Sequence, residues 1–352
     1  MSQYKCIDSF SGAGGLCLGL IEAGFSVIYS FDIDANAINT INANPKYFKQ
    51  HKAEVRDIYD IDTNKLLSSL GIVSGELDLL AGGPPCQGFS IQRRGNDFDE
   101  RNHLVEEFFS KVLQIRPKMF VMENVPGIEG KRGKSILHQA LANVEDAGYF
   151  IHEKVLDAQD FSVPQRRKRV VIVGERKDHP TPVFKYPTPN KVKVTVRDTI
   201  SSLPEPPADG SDHPDISLHR RDKLSVMNII RLQHLKPGQG RDFLPTELLA
   251  DCHKRSSNTI GHRNVYGRMP WDDVAPTITA RFDSFTRGMF GHPEQDRSIS
   301  LREGALLQTF PLDFFFCGNK VEVARQIGNA VPVRMAKVIG EQIIKCLNQW
   351  NN

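Results

Sequence analysis

The chain has 352 residues, of which 39% are hydrophobic and 25% are charged. This composition is typical of a soluble globular protein with a large core, and it excludes disordered, collagen-like and disulfide-rich scaffold classes. No apolar run approaches the roughly 18 residues that a membrane span needs, and the N-terminus carries no signal-peptide pattern. The sequence therefore predicts a cytoplasmic protein that does not associate with a membrane.

The cysteines are scattered along the chain, without the Cys-x-x-Cys or Cys/His spacing that is typical of zinc ligands. Neither a metal site nor a disulfide framework is predicted, so a cysteine with a chemical role would act singly. The six cysteines are Cys6, Cys17, Cys86, Cys252, Cys317 and Cys346.

The net charge is +3, from 45 Lys and Arg and 42 Asp and Glu, and its distribution is uneven. Residues 186–270 hold 13 basic and 9 acidic residues, whereas the rest of the chain holds 32 and 33. This segment also holds six of the 21 prolines within residues 187–214, and it lacks the hydrophobic periodicity of its flanks. We interpret it as an insertion or a separate small domain, although charge alone fits a solvated surface region equally well.

Short apolar runs alternate with amphipathic ones over the first half of the chain, which is typical of strands and crossover helices in a parallel sheet. Strands are predicted at residues 5–10, 26–31, 77–81, 119–122 and 169–173. Helices are predicted at residues 16–23, 35–42, 105–115, 135–147 and 300–309, with a last helix from residue 336. Because ligands of open parallel sheets bind beyond the carboxyl ends of the strands, we expect functional residues directly after them.

A glycine-rich turn, Phe10-Ser11-Gly12-Ala13-Gly14-Gly15-Leu16, follows the first predicted strand and opens a helix. Glycines let a ligand approach backbone N–H groups closely. Asp32, at the end of the second strand, is placed to accept hydrogen bonds from ribose hydroxyls. The pattern predicts a nucleoside-bearing cofactor, with a tight strand–helix turn as the structural alternative. A nicotinamide cofactor fits less well, because the dinucleotide fingerprint needs glycine where Cys17 stands.

A thiol, a carboxylate and guanidinium groups flank the later strands. Cys86 lies in a glycine- and proline-constrained loop at residues 81–90, Glu123-Asn124-Val125 follows the next strand, and Gln165-Arg166-Arg167-Lys168-Arg169 leads into the one after it. Each group alone is ordinary: a loop thiol, a strand-end acid or a solvated basic run. Their positions along the predicted sheet allow all three to converge at one edge.

In this order the motifs resemble those of the 5-cytosine DNA methyltransferase family, over residues 5–335. Residues 10–15 look like its cofactor loop, 83–90 its nucleophile loop, 123–125 its acid motif and 165–169 its Q-x-R-x-R motif. Residues 268–279, 302–311 and 328–332 look like its C-terminal motifs. Where many members carry Glu and an aromatic residue after the second strand, this chain has Asp32 and Ile33.

The resemblance implies an α/β fold with a Rossmann-like, mostly parallel sheet of the class I methyltransferase type and a second, smaller target-recognition domain. The catalytic and cofactor-binding domain is expected at residues 1–185 plus 322–352, and the target-recognition domain with its hinge at 186–321. The implied cofactor is S-adenosyl-L-methionine, its product is S-adenosyl-L-homocysteine, and no metal is needed.

The family motifs imply four catalytic residues, Cys86, Glu123, Arg167 and Arg169. The residues implied to bind the cofactor follow the first strands or belong to the later motifs. They are Phe10, Gly12, Gly14, Gly15, Leu16, Asp32, Ile33, Asp57, Ile58, Pro84, Leu104, Asn329 and Val331.

The mechanism implied by the resemblance begins with the thiolate of Cys86 adding to C6 of a cytosine, which makes C5 reactive toward the methyl group. Glu123 would act at N3 and the exocyclic amine, while Arg167 and Arg169 would face O2 and the active-site loop. Loss of the C5 proton then expels Cys86. Since this chemistry cannot reach C6 inside a stacked duplex, the target cytosine is expected to be flipped out.

Double-stranded DNA is the implied partner, and the polar loop at residues 92–104 is expected to close over it. The basic segment occupies the region that the family uses for target recognition. The residues expected to contact DNA are Ser90, Gln92, Arg94, Gln165, Arg220, Arg231, Arg241 and Arg255. The protein is expected to be a nucleoid-associated monomer, with a companion restriction endonuclease that does not bind it.

Two other functions are alternatives on the sequence alone. A nicotinamide-dependent oxidoreductase would explain the glycine-rich turn but not Cys86, Glu123 and Arg167. A methyltransferase relative that only binds DNA as a regulator would not need these three residues intact.

Overall fold

The computed structural model describes residues 4–49, 51–85, 103–130, 134–251, 254 and 265–350. The chain forms two compact units. The sheet unit comprises residues 1–157, 168–189 and 331–352, and the insert unit comprises residues 158–167 and 190–330. The predicted domain limits after residues 185 and 321 lie close to two of these divisions, but residues 158–167 were expected in the other unit.

The described strands all belong to one sheet in the sheet unit. They are β1 Lys5–Ser9, β2 Ser26–Asp32, β3 Lys52–Val55, β4 Leu79–Gly82, β5 Met119–Asn124, β6 Tyr149–Asp157 and β7 Lys168–Arg176. Their order is β3-β2-β1-β4-β5-β7-β6. Strands β1 to β5 run parallel, and β7 is antiparallel to both β5 and β6. The predicted mostly parallel α/β sheet is confirmed.

The sequence does not predict the two edge strands, β3 and β6. Both expose many of their residues, so neither shows the continuous apolar run that marks a buried parallel strand. The central strand β4 does show it, because all four of its residues are buried.

The helices of the described residues follow the predictions closely where the amphipathic pattern is long. They are α1 Gly15–Ala23, α2 Ala35–Asn42, α3 Thr63–Ser69, α4 His103–Ile115, α5 Lys134–Asp146, α6 Val196–Ile200, α7 Val226–Gln233, α8 Leu301–Leu307, α9 Lys320–Asn329 and α10 Val333–Trp350. The short helices α3, α6, α7 and α9 were not predicted. None of these helices combines the length and apolar character of a bilayer span.

Helix α10 packs closely against α1 within the sheet unit. A Cβ added at Gly19 would lie 2.4 Å from both the Val333 carbonyl oxygen and the Ala336 Cβ, so only glycine permits this approach. Since α1 begins at the end of the glycine-rich loop, its packing against α10 also holds that end of the loop in place.

The insert unit has its own small core, in which Leu232, Leu235, Leu244, Leu248 and Phe285 pack together. Its remaining structure consists mainly of short helices, turns and extended segments. The described residues of this unit are therefore stabilised by a local cluster of side chains and not by a sheet.

Candidate active site

Glu123 and Arg169 form an ion pair between neighbouring strands of the sheet unit. Glu123 lies in β5 and Arg169 in β7, which pair side by side in antiparallel register. The Arg169 Nε lies 2.7 Å from Glu123 Oε1, and both side chains are 12% exposed. Oε1 nevertheless has no aligned hydrogen-bond donor. The pair therefore fixes the carboxylate by charge.

The segment that leads to Cys86 is tied to the same end of β5. The Asn124 side chain donates a hydrogen bond of 3.0 Å to the Pro84 carbonyl. A Cβ at Gly83 would lie 3.6 Å from Glu123 Oε2, an ordinary contact distance. Cys86 itself lies outside the described residues, as do Ser90, Gln92, Arg94 and Arg255. The described geometry thus brings the base of the predicted nucleophile loop beside the predicted acid.

Gln165 and Arg167 lie in the insert unit with their side chains buried. The Arg167 guanidinium donates to the carbonyls of Ile278, Gly328 and Ala330 at 2.9 to 3.1 Å. The Gln165 amide donates to Leu307 and Gln308 and accepts from the Ile278 N–H. These bonds hold both side chains within the insert unit, while the catalytic contact of Arg167 and the DNA contact of Gln165 stay predictions.

The glycine-rich loop between β1 and α1 has a left-handed backbone at three positions, with φ of +55° at Phe10, +52° at Gly12 and +84° at Gly14. A Cβ at Gly14 would lie 2.8 Å from the Phe48 ring, whereas a Cβ at Gly12 would meet nothing within 4 Å. The Gly12 N–H donates to Asp32 Oδ2 at 2.8 Å, so the loop is anchored on the end of β2. Gly12 therefore faces open space beside a carboxylate, as a nucleoside site requires.

Most of the other predicted cofactor residues lie in the sheet unit. The ends of β2 and β3 are adjacent, because the Arg56 N–H donates to the Asp32 carbonyl. Ile33, directly after β2, is 70% exposed. Asp57 caps the turn Ile58–Asp60, in which Ile58 is buried. Gly15 and Leu16 begin α1, Leu104 lies in α4, Val331 precedes α10, and Asn329 belongs to the insert unit.

Two buried polar groups near the loop fit a polar, cationic cofactor. Asp8 in β1 is 0% exposed, and neither of its carboxylate oxygens has a hydrogen-bond partner. Ser11 Oγ is also buried without a partner. The sequence reasoning missed Asp8, although a single acid inside the apolar run of a buried strand was a usable signal. No group of three potential metal ligands occurs within the described residues.

The predicted DNA contacts differ in how the insert unit holds them. Arg220 lies 3.9 Å from Asp212, a loose pairing at the surface. Arg231 donates to the Leu248 carbonyl and stacks on the Tyr266 ring. Arg241 is only 4% exposed, so its side chain is not at the surface where DNA would meet it. The sequence cannot show this difference, because a charge count does not distinguish a buried arginine from an exposed one.

Arg287, which the sequence reasoning missed, is an exposed arginine at the end of the turn Phe285–Arg287. Its side chain has no partner among the described residues, whereas every other described arginine of the insert unit contacts a protein group. Phe285 is buried in the small core, and a Cβ at Gly288 would lie 2.3 Å from the Phe290 ring. The turn is thus fixed on both sides and presents Arg287 outward.

The sheet order, the glycine-rich loop after β1 and the acid near the end of β5 define the class I methyltransferase fold. The chain belongs to the C-5 cytosine-specific DNA methylase family, whose model matches residues 4–345. The family match also removes the oxidoreductase alternative.

Similar proteins support this assignment over nearly the whole chain. The Type II methylase M.HgiDII of Herpetosiphon aurantiacus is 36% identical over 345 residues, which cover 97% of this chain and 95% of that protein. Type II methyltransferase M.Sau96I of Staphylococcus aureus is 31% identical, over 99% of this chain and 77% of that protein. A crystal structure of a candidate DNA modification methyltransferase encoded within an E. coli prophage superposes with a TM-score of 0.76 at 26% identity, covering 98% and 100% of the two chains.

Proposed function

We propose that this enzyme transfers a methyl group from S-adenosyl-L-methionine to C5 of a flipped-out cytosine in a specific duplex DNA sequence, through a covalent bond between Cys86 and ring C6. The observation that carries the proposal is the Glu123–Arg169 pair beside the Gly83–Pro84 segment. It supplies a fixed acid next to the loop of the only cysteine that the family motifs select.

The chemistry follows from what cytosine lacks. Its C5 is too electron-poor to accept a methyl group until a nucleophile adds to C6. An unperturbed thiol has a pKa of about 8.5, so a few per cent of Cys86 would be thiolate at neutral pH without further activation. The Glu123 carboxyl group shares a proton with N3 of the cytosine and thereby relieves the negative charge that builds in the cytosine ring. Removal of the C5 proton then breaks the Cys86–C6 bond and restores the thiolate.

Arg169 keeps Glu123 in place for this step, because its Nε contacts Glu123 Oε1 within the sheet. Gln165 and Arg167 position the segment around Ile278 and Gly328, next to Asn329, through buried hydrogen bonds. The bound cofactor supplies the methyl group, and the loop from Phe10 to Gly14, together with Asp32, would hold its nucleoside part.

The target cytosine leaves the helix stack at a cost on the order of a few kcal/mol, which contacts to the rest of the DNA must offset. Residues 186–321 are proposed to read the sequence. The relatives named as Type II methyltransferases support a companion restriction endonuclease for this chain. The enzyme acts as a monomer on DNA in the cytoplasm.

Sequencing of bisulfite-treated DNA from cells that express the chain tests the proposal directly. We expect protected cytosines at one position of one short sequence and nowhere else. A matched culture that expresses Cys86→Ala should show no protected sites. Protection that is absent, or scattered without a common sequence, contradicts the proposed activity.

Arg287 is proposed to contact a DNA phosphate, because it is exposed, held on a fixed turn and without an ion-pair partner in the described ranges of the chain. The slope of log K against log salt concentration is negative, and loss of one phosphate contact makes it less steep by about 0.9. We expect this change for Arg287→Ala and its recovery for Arg287→Lys, measured by equilibrium binding to target duplex.

Arg197→Ala is the matched control for this measurement, because Arg197 is also exposed but lies 2.6 Å from Asp272. Its salt slope should equal that of the unmodified protein. If Arg287→Ala leaves the slope unchanged, the phosphate contact is wrong, while normal methylation at saturating DNA would leave the proposed activity intact.

A further inference from the structure

Asp8 is a buried acid that the proposed reaction steps do not use. It lies in β1, with Ser30 of β2 and Ala81 of β4 as its partners in the sheet. Its side chain is fully buried, and both carboxylate oxygens lack a hydrogen bond. An ionised carboxylate is strongly disfavoured in such a place unless a positive charge comes close to it.

Within the described part of the chain, the groups that act on Asp8 provide no positive charge. Asp32 acts on it from the end of β2 and disfavours its ionisation. The backbone N–H of Cys17, near the start of α1, opposes this effect weakly without reaching hydrogen-bond geometry. The neighbouring thiols of Cys6 and Cys17 are themselves buried and neutral, since burial raises the pKa of both well above the ordinary value.

His51 is the nearby group that could carry a positive charge, but its hydrogen bonds suit the neutral ring. Nδ1 lies 3.1 Å from the Val27 carbonyl, to which it donates, and Nε2 lies 2.7 Å from Ser30 Oγ. Burial lowers the pKa of His51 to about 4. Among the described residues, the titratable groups around Asp8 at neutral pH are therefore acids, thiols and a neutral imidazole.

This environment keeps the carboxyl group protonated in the free protein. Burial, with Asp32 as the next cause, raises the pKa of Asp8 from 3.8 to about 8. The carboxyl lies beside Asp32, which accepts a hydrogen bond from Gly12 of the glycine-rich loop, and beside the start of α1, where that loop ends. A ligand held by that loop would bring its charge close to Asp8 in a medium that screens charge poorly.

We propose that Asp8 is a positioning residue for the charge of the cofactor: it is protonated in the free enzyme and ionises when the cationic cofactor binds. Binding of the cofactor therefore releases a proton. The ionised carboxylate also makes the enzyme bind the cationic cofactor more tightly than the product, whose sulfur is neutral. In this step the O–H bond of Asp8 breaks and the proton passes to the solvent. Methyl transfer removes the sulfonium charge, after which Asp8 takes up a proton and the product is held less strongly. The inference rests on the proposed use of S-adenosyl-L-methionine.

Calorimetry in two buffers with different ionisation enthalpies, such as phosphate and Tris at pH 7, counts the protons released on binding. We expect close to one proton for S-adenosyl-L-methionine and clearly fewer for S-adenosyl-L-homocysteine. Affinity for the cationic cofactor should rise with pH up to about 8, where the free enzyme loses its own proton, and then level off. Affinity for the product should change less over the same range.

Asp8→Asn should abolish the proton release. It should also reduce the ratio of the affinity for S-adenosyl-L-methionine to that for S-adenosyl-L-homocysteine by about tenfold or more, the equivalent of one pKa unit. Asp62→Asn is the matched control, because Asp62 caps α3 at the surface and asparagine caps helices equally well. This control should leave the proton count and the preference unchanged.

Thermal unfolding of the ligand-free proteins gives a readout that does not depend on activity. A pKa raised in the folded state means that stability falls as pH rises from about 4 toward 8. The asparagine of the Asp8→Asn variant cannot titrate. The melting temperature of this variant relative to that of the unmodified protein should therefore rise across this pH range, and the difference should be constant above it.

The outcomes separate the inference from the function on which it rests. If neither ligand binds, the proposed cofactor is wrong. If S-adenosyl-L-methionine binds with a heat that does not depend on the buffer, the role of Asp8 is overturned while the methyltransferase activity stands. Should Asp8→Asn fail to fold, the proton count of the unmodified enzyme decides the matter alone.

Discussion

Cys86→Ala is expected to reduce methyl transfer to background while cofactor binding stays within a few-fold of that of the unmodified enzyme. Without addition of the thiolate to C6, C5 has no electron density with which to accept a methyl group, so no other residue can compensate. Transfer of tritiated methyl groups to target duplex measures the loss. Cys317→Ala is a matched control from the insert unit, and it should retain normal turnover.

Duplex DNA with 5-fluorocytosine at the target position tests the covalent step itself. Fluorine cannot leave as a proton does, so the adduct should persist after methyl transfer and survive denaturation. Trapping should require S-adenosyl-L-methionine, and peptide mapping should place the DNA on Cys86. If natural DNA is methylated but no adduct ever forms, addition by the cysteine is wrong.

The sheet could be predicted from the sequence wherever a strand is buried on both faces. The apolar run at residues 77–81 corresponds to β4, and that at 119–122 to β5. The edge strands β3 and β6 lack such runs, because no residue of β3 is fully buried and β6 exposes Glu153, Lys154 and Val155 in succession. Helix α9 was missed despite a usable signal, since Asn319 and Glu322 form a capping box at its start.

The candidate site was predictable in its residue types but not in the direction of every side chain. Strand periodicity would place Gln165, Arg167 and Arg169 on one face. However, β7 begins only at Lys168, so the alternation does not reach the first two residues. Arg169 pairs with Glu123, while Gln165 and Arg167 turn into the insert unit. The start of a strand is decided by tertiary contacts, which a single sequence does not show.

Glu123→Gln is expected to lower kcat by roughly the 10²- to 10⁴-fold typical of losing a positioned acid or base, with a small change in the KM for DNA. Glutamine keeps the shape of the side chain but cannot hold the proton at N3. Single-turnover methylation at saturating DNA and cofactor gives the chemical rate. Glu129→Gln is the control, because Glu129 lies on the turn just after β5 and has no proposed role in the chemistry.

The Glu123–Arg169 contact predicts how the rate losses caused by Glu123→Gln and Arg169→Ala combine in a double variant. Since Arg169 acts by holding Glu123 through a contact of 2.7 Å, removing the carboxylate leaves the arginine little to do. Arg169→Ala alone should slow the single turnover, yet the double variant should be no slower than the worse single variant. Rates that multiply in the double variant would mean that Arg169 acts independently of Glu123, and a normal rate for Glu123→Gln would remove the acid from the mechanism.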